Sequence, residues 1–161
     1  MREIRKSVAV YAESTFKRNP GISAWASMLK YKKNIMETTG SETTSTNKRG
    51  ELLSVINSLK KLNEPCNVTI YTSSGYVYTG VNCYMAKWAE NEWTRSEGRP
   101  LANAELWQNL YALCEKHNVT VMLLRNKTVN KYTSHLVELA KKTLLSAINS
   151  MKRALNFAIE H

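Results

Sequence analysis

Residues 44–81, with the sequence TSTNKRGELLSVINSLKKLNEPCNVTIYTSSGYVYTGV, contain the pattern that decides the fold. Apolar side chains first recur every three or four positions, which predicts a helix over about residues 48–62, and then alternate in a strand at 67–72. A helix between two strands of one sheet is a crossover, so the strand at 67–72 is predicted to run parallel to an earlier strand. The helical positions are Leu52, Val55, Ile56 and Leu59, and the N-cap candidates are Thr46 and Asn47.

The flanking sequence completes an α/β pattern with a mixed sheet. Alternating residues at 7–13 and in 22–37 predict three antiparallel strands, followed by a polar, flexible connection at 38–47. Beyond the central stretch we predict a short helix at 74–88, a helix capped near Asn103, a strand at 119–125, a loop at 126–134 and a C-terminal amphipathic helix of about 25 residues. We therefore predict one domain at 1–142 and a basic amphipathic helical extension at 143–161.

The composition favours a single soluble domain. The chain has 161 residues, 43% of them hydrophobic, and no run approaches the roughly 18 apolar residues that a membrane span requires. The N-terminal segment lacks the apolar run of a signal peptide, so we predict a cytoplasmic protein that does not bind membranes. The spacing of Cys66, Cys83 and Cys114 fits neither a disulfide framework nor a CxxC metal site.

The net charge of +10 is concentrated at the two ends of the chain. It is +6 over residues 1–33, −1 over 34–124 and +5 over 125–161. A cationic surface attracts polyanions and gains free energy from the counterions released on contact. The distribution favours a phosphate-rich partner, and the alternative is a solvated basic surface.

Several collinear motifs resemble type 1 ribonuclease H. They are the stretch 44–81, Trp88 and Trp93, and GRPLANAELWQNL at 98–110, and the resemblance covers about residues 7–142. It implies a five-stranded mixed sheet flanked by helices, and hydrolysis of the RNA strand of an RNA/DNA hybrid at the centre of that sheet. In this family four carboxylates and a nearby histidine form a site for two divalent metal ions.

The resemblance places the catalytic positions of the family on five residues, of which two are acidic. All 13 acidic residues of the chain are Glu, and Asp is absent. The five positions are Glu13, Glu51, Ser73, Lys127 and Val137, where Lys127 takes the place of the histidine. Serine is a poor bridging ligand and valine cannot coordinate Mg²⁺, so we predict a chain that is not an enzyme and has no cofactor. Weak binding of Mg²⁺ or Mn²⁺ at the two glutamates is the alternative.

Positions that bind the substrate in the family are retained better than the catalytic ones. Asn19 and Asn47 match residues near the hybrid, Lys48 adds charge, and Gly75 replaces a glutamine that contacts a base. The region of Trp88 and its neighbours resembles a basic protrusion diluted by glutamates. The predicted nucleic-acid contacts are Asn19, Thr46, Asn47, Lys48, Arg49, Ser74, Lys87, Trp88, Asn103, Arg125, Lys127, Lys141 and Lys142.

Three functions from different classes follow. The first is a catalytically inactive ribonuclease H-like protein that binds RNA, an RNA/DNA hybrid or another A-form duplex through its basic surface. The second is a protein-interaction module whose C-terminal helix docks a protein partner or a second copy of the chain. The third is a weak Mn²⁺-dependent ribonuclease that uses Glu13 and Glu51.

Overall fold

The computed structural model describes residues 4–126 and 130–160, which form a five-stranded sheet with helices on both faces. The strand order is β3-β2-β1-β4-β5. The antiparallel pairs are β1–β2 and β2–β3, and the parallel pairs are β1–β4 and β4–β5. The strands are β1 (Lys6–Lys17), β2 (Ile22–Tyr31), β3 (Asn34–Thr43), β4 (Cys66–Thr72) and β5 (Asn118–Leu123). The predicted α/β class, the mixed sheet and the parallel crossover are confirmed.

The described part of the chain has five α-helices and a single 3₁₀ turn at Ser96–Gly98. The α-helices are α1 (Asn47–Lys60), α2 (Gly75–Thr79), α3 (Met85–Glu90), α4 (Ala104–Lys116) and α5 (Lys131–Glu160), and a π-helical turn at Gly80–Tyr84 joins α2 to α3. Helices α1 and α4 contact each other on one face of the sheet, and α5 lies on the other face, against β1 and β2. No helix of the described ranges is both long and apolar enough to cross a membrane.

Alternation along β2 explains how the sheet is covered on both faces. Ile22, Ala24, Ala26 and Met28 face α5, whereas Ser27 faces α1 and accepts a hydrogen bond of 2.7 Å from Ser58 Oγ. Small side chains on the second face let α1 lie close to the sheet. The closest approach is at Gly50, where a Cβ atom would lie 1.8 Å from Ser23 Oγ. This approach places the first turn of α1, which contains residue 51, next to Ser14 of β1.

Two elements differ from the sequence-based prediction. Strand β3 continues to Thr43, through most of the connection predicted to be flexible, because it pairs with β2 along its whole length. Helix α5 begins at Lys131 within the predicted loop, since Asn130 Oδ1 accepts hydrogen bonds from the backbone N–H groups of Tyr132 and Thr133. The helix therefore has 30 residues rather than about 25.

Helix α5 runs without interruption across residue 142, where we predict the domain boundary. On the C-terminal side, Leu144 and Ile148 are buried against Ile22 and Ala24 of β2. Farther along, Leu155 is 57% exposed and Ile159 is 83% exposed. The first turns of the predicted extension thus pack on the sheet, and its last turns do not, while the boundary itself stays a prediction.

Candidate active site

The parallel pairing of β1 with β4 brings two of the predicted catalytic positions together. Ala12 pairs with Thr72, so the next residues, Glu13 and Ser73, lie side by side where β4 ends. Ser73 Oγ donates a hydrogen bond of 2.5 Å to Glu13 Oε1. Glu13 is only 4% exposed, so this hydroxyl supplies a polar contact to a carboxylate that has lost most of its water.

The second carboxylate comes from α1 and is held by the same turn. Ser74 Oγ donates to Glu51 Oε2 at 2.9 Å, and Asn47 Nδ2 donates to Glu51 Oε1 at 3.3 Å. Ser74 Oγ also accepts from the backbone N–H of Val77, which caps α2 and fixes the hydroxyl. Adjacent serines after β4 therefore orient two carboxylates that come from different elements.

These groups surround a small polar cavity of about 60 Å³. Its lining consists of Ala12, Glu13, Ser14, Asn47, Glu51, Ser54, Thr72, Ser73 and Ser74. Ser14, Ser54 and Thr72 are not among the site residues predicted from the sequence. Of these, Ser54 carries a signal in the sequence, because it lies three residues after Glu51 and so on the same face of α1.

The donor set of the cavity fits one divalent ion better than two. Within residues 4–126 and 130–160, no group of three or more His, Cys or Glu side chains could hold a metal. Mg²⁺ keeps several waters and binds through one or two carboxylates together with substrate phosphates. Glu13 and Glu51 meet that minimum for a single ion, and the hydroxyls of Ser73 and Ser74 are further oxygen donors beside them.

The other two predicted catalytic positions are Val137 and Lys127. Val137 is a half-buried residue of α5, whereas the cavity is lined by β1, α1 and the segment Thr72–Ser74. Lys127, which we predict at both the catalytic site and the nucleic-acid surface, lies outside the described residues.

Arg49 links α1 to two neighbouring elements. Its guanidinium contacts Glu42 of β3 at 2.9 Å and Glu105 of α4 at 2.5 Å, and Nη1 also lies 3.5 Å from Asn103 Oδ1. The hydrogen bond that Arg49 donates to Glu105 lowers the pKa of Glu105, and the hydrogen bonds that Arg49 donates to Glu42 and Glu105 raise the pKa of Arg49. This predicted nucleic-acid contact is therefore part of an ion-pair network that holds the first turn of α1.

Asn103 and Lys48 belong to the same surface. Asn103 precedes α4 with a left-handed backbone, φ 60°, and its Nδ2 donates to the hydroxyl of Tyr76. Trp107 Nε1 donates to that hydroxyl at 2.9 Å, and the Lys48 ammonium lies 4.9 Å from the centre of the Tyr76 ring. Tyr76 is not among the contacts predicted from the sequence, because its partners lie far from it along the chain.

The predicted basic protrusion contains an open groove of about 450 Å³ lined in part by Lys87, Trp88 and Arg95. Trp88 is half-buried, stacks on Tyr84 at 5.7 Å and contacts the ring of Trp107. It thus packs on the core while one side lines the groove. The remaining predicted contacts are exposed on the turn between β1 and β2, before α1, after β5 and on α5, and they are Asn19, Thr46, Arg125, Lys141 and Lys142.

Comparison with known proteins gives the family. Residues 5–143 match the family model described as RNase H. The chain belongs to the RNase H family. A ribonuclease H of Francisella philomiragia is 36% identical over 140 residues, which cover 87% of this chain and 92% of that protein. A ribonuclease H of Francisella tularensis subsp. novicida is 36% identical over 144 residues, which cover 89% of this chain and 95% of that protein.

Solved RNase H structures share the fold. LC9-RNase H1, a type 1 RNase H with the type 2 active-site motif, superposes with a TM-score of 0.75 at 22% identity and covers 88% of this chain and 74% of its own. The N-terminal RNase H domain of Rv2228c from Mycobacterium tuberculosis superposes with a TM-score of 0.66 at 16% identity. The superposition covers 91% of this chain and 99% of that one.

The prediction that the chain is not an enzyme is wrong. The Francisella relatives, 36% identical over most of the chain, are named ribonuclease H and point to an enzyme. The prediction counted carboxylates against a four-ligand pattern. Such a count does not determine activity, because substrate phosphates and water also bind the metal.

Proposed function

We propose that the chain is a ribonuclease that hydrolyses the RNA strand of an RNA/DNA hybrid at the cavity between Glu13 and Glu51. The observation that carries the proposal is the convergence of two oriented carboxylates at the end of the central parallel strands. Membership of the RNase H family and the naming of relatives as ribonuclease H support it.

Glu13 and Glu51 would hold one divalent cation. When bound, Mg²⁺ or Mn²⁺ makes water a better nucleophile and offsets the negative charge that develops on the phosphate. Ser73 and Ser74 orient the carboxylates through their hydroxyls, and Asn47 fixes the second oxygen of Glu51. Because each carboxylate is tied to a rigid element, its direction is set before substrate binds.

Several cationic and amide groups near the cavity support binding of a duplex. Asn47 and Lys48 begin α1 and are exposed next to the cavity, and Lys87 and Arg95 line the groove beyond α3. A-form duplexes are bound mainly through phosphates and 2′-hydroxyls, which such groups can contact without reading a sequence. We expect the duplex to lie across the cavity with its RNA strand over Glu13 and Glu51.

The test is cleavage of a labelled RNA/DNA hybrid in Mg²⁺ and in Mn²⁺, with duplex DNA as the control substrate. Glu51→Gln keeps the size and hydrogen-bonding shape of the side chain but removes its charge. We expect this change to lower the cleavage rate roughly 100-fold or more while affinity for the hybrid stays within a fewfold. Cleavage that is unaffected by Glu51→Gln, or absent in both metals from the unmodified chain, would contradict the proposal.

A second candidate function rests on the end of α5. Leu155 and Ile159 are 57% and 83% exposed on a helix that has left the sheet, and exposed apolar side chains favour protein contacts. A self-associating helix would make the chain dimeric. Light scattering of the full chain and of residues 1–151 tests this, since a dimer should become a monomer on truncation.

A further inference from the structure

A second cavity lies on the α5 face of the sheet, toward the amino ends of the parallel strands. Its volume is about 380 Å³, within the range of small-ligand sites. Helix α5 packs on β2 and on Tyr11 of β1, whereas no helical residue within 4–126 and 130–160 lines the cavity over β1, β4 and β5. Ala9 in this floor is four residues from Glu13, which places the cavity about 13 Å from the proposed cleavage site along β1.

The floor is polar, although parallel strands are usually apolar on both faces. Strand pairing lines up Ala9, Thr69 and Thr120 in one row and Ser7, Asn67 and Asn118 in the next. Asn118 Nδ2 donates to Asn67 Oδ1 at 3.3 Å, which orders the second row. Hydroxyl and amide groups on a flat sheet can hydrogen-bond the edges of nucleic-acid bases.

Cations form one wall of the cavity. Lys30 at the end of β2 and Lys32 in the turn after it line the cavity, and no carboxylate of the described residues does. The Lys30 ammonium donates one hydrogen bond to the hydroxyl of Tyr132 at 3.1 Å, so two of its three N–H donors remain for a ligand. The electrostatics of the wall favour an anion.

The remaining side of the cavity is aromatic. Tyr71 lines it, and its ring stacks on Tyr11 with 4.7 Å between centroids and 15° between planes. Tyr132 packs on Tyr11 in turn, which holds the group in place. Fixed aromatic rings beside cations are the features with which proteins bind single-stranded nucleic acid, through base stacking and phosphate contacts.

We propose that this uncovered sheet face binds a single-stranded nucleic-acid segment, with phosphates on Lys30 and Lys32 and bases over the polar floor beside Tyr71. The segment would be a strand that continues past the hybrid, since about 13 Å corresponds to about four nucleotides at roughly 3.4 Å each. The binding requires no cleavage, and it can be measured whether or not the Glu13–Glu51 cavity is active.

The experiment is fluorescence anisotropy with a labelled ten-nucleotide single-stranded DNA in EDTA, over a series of salt concentrations. The variant Lys30→Gln/Lys32→Gln should bind roughly tenfold more weakly, and the slope of log affinity against log salt should fall by about 1.4, for two phosphate contacts. The control is Lys152→Gln/Arg153→Gln, which removes the same charge from the exposed end of α5, beyond the turns that pack on Ile22 and Ala24 at the start of β2, and should leave the slope unchanged.

A further variant keeps every lysine. Thr120→Glu places a carboxylate on the exposed floor and should weaken binding to a similar extent, with the melting temperature of each variant as the check on folding. Adenosine monophosphate should compete only weakly, because it offers a single phosphate group. Cleavage of a blunt-ended hybrid should be the same in all these variants.

Three results would overturn the proposal. One is an unchanged salt slope in Lys30→Gln/Lys32→Gln, and another is an equal loss of affinity in the Lys152→Gln/Arg153→Gln control. The third is competition by adenosine monophosphate at the same nucleotide concentration as the oligonucleotide, which would make the cavity a mononucleotide site.

Discussion

Ser73 donates a hydrogen bond of 2.5 Å to Glu13 at the point where β1 and β4 run side by side. The next residue, Ser74, makes the corresponding contact to Glu51 on α1. Two consecutive hydroxyls thus orient the two carboxylates of the cavity. The charge and geometry of this short segment should therefore control how the site binds metal and how fast it cleaves.

A third carboxylate at position 73 should strengthen metal binding. Ser73→Asp adds negative charge beside Glu13, and we expect the Mg²⁺ concentration for half-maximal cleavage of the hybrid to fall about tenfold, since charge count tunes divalent-ion affinity. The control is Ser73→Asn, which has the same shape without the charge. Equal behaviour of the Asn and Asp variants would show that charge at this position has no role.

The close contact between α1 and the sheet should not tolerate a methyl group. In Gly50→Ala the new Cβ would lie 1.8 Å from Ser23 Oγ, so α1 must shift. We expect a loss of about 1–3 kcal/mol in the free energy of unfolding, measured in urea, together with slower cleavage because Glu51 is the next residue.

The matched control is Gly75→Ala, because a Cβ there meets nothing within 4 Å. It should leave the free energy of unfolding unchanged or raise it by up to about 1 kcal/mol. If both alanine variants lose stability equally, close packing at Gly50 is not the cause.

Stability should fall in mild acid because of His117. This side chain is 2% exposed and accepts a hydrogen bond of 3.0 Å from the backbone N–H of Cys66. Burial lowers the pKa of His117, and nearby Lys116 and Arg5 lower it further. The unfolded chain therefore binds the proton first as the pH falls below about 6.5, so the free energy of unfolding decreases down to the folded pKa.

His117→Asn should remove this pH dependence while keeping an acceptor for the Cys66 N–H. The measurement is urea unfolding between about pH 4.5 and 7.5 for both proteins, with the difference between them largest at the acid end. Parallel pH profiles of the two proteins would show that His117 does not titrate in this window.

Truncation of α5 should separate its packed turns from its exposed ones. Removing residues 152–161 should leave the free energy of unfolding nearly unchanged, because those described side chains are exposed. Removing 143–161 also exposes the pocket for Leu144 and Ile148 on β2, and should cost roughly 3 kcal/mol or more. An unchanged stability after the longer truncation would support a domain boundary at residue 142.

The sequence predicted best what local periodicity determines. The helix predicted at 48–62 is α1, Asn47–Lys60, and the strand predicted at 67–72 is β4, Cys66–Thr72. The length of β3 depends on pairing with β2, which no local pattern reports, and its exposed polar side chains resemble a loop. The start of α5 had a local signal, the side chain of Asn130, that the loop interpretation overlooked.

The site was predictable in part, from the resemblance to a family rather than from local periodicity. The resemblance to ribonuclease H placed Glu13, Glu51 and Ser73 at one site, and the structure brings these three around one cavity. The contacts of Arg49 could not be predicted, because its two carboxylate partners lie 7 and 56 positions away. Folding, rather than spacing along the chain, decides which charges remain available to a substrate.

Helix α5 has 30 residues, and at 1.5 Å per residue it is about 45 Å long. A compact chain of 161 residues has a radius of gyration of about 15 Å, which corresponds to a sphere about 40 Å across, so the helix is slightly longer than such a sphere is wide. The molecule should therefore tumble anisotropically, with slower rotation about its short axes. It should elute from a sizing column ahead of a spherical standard of the same mass, even as a monomer.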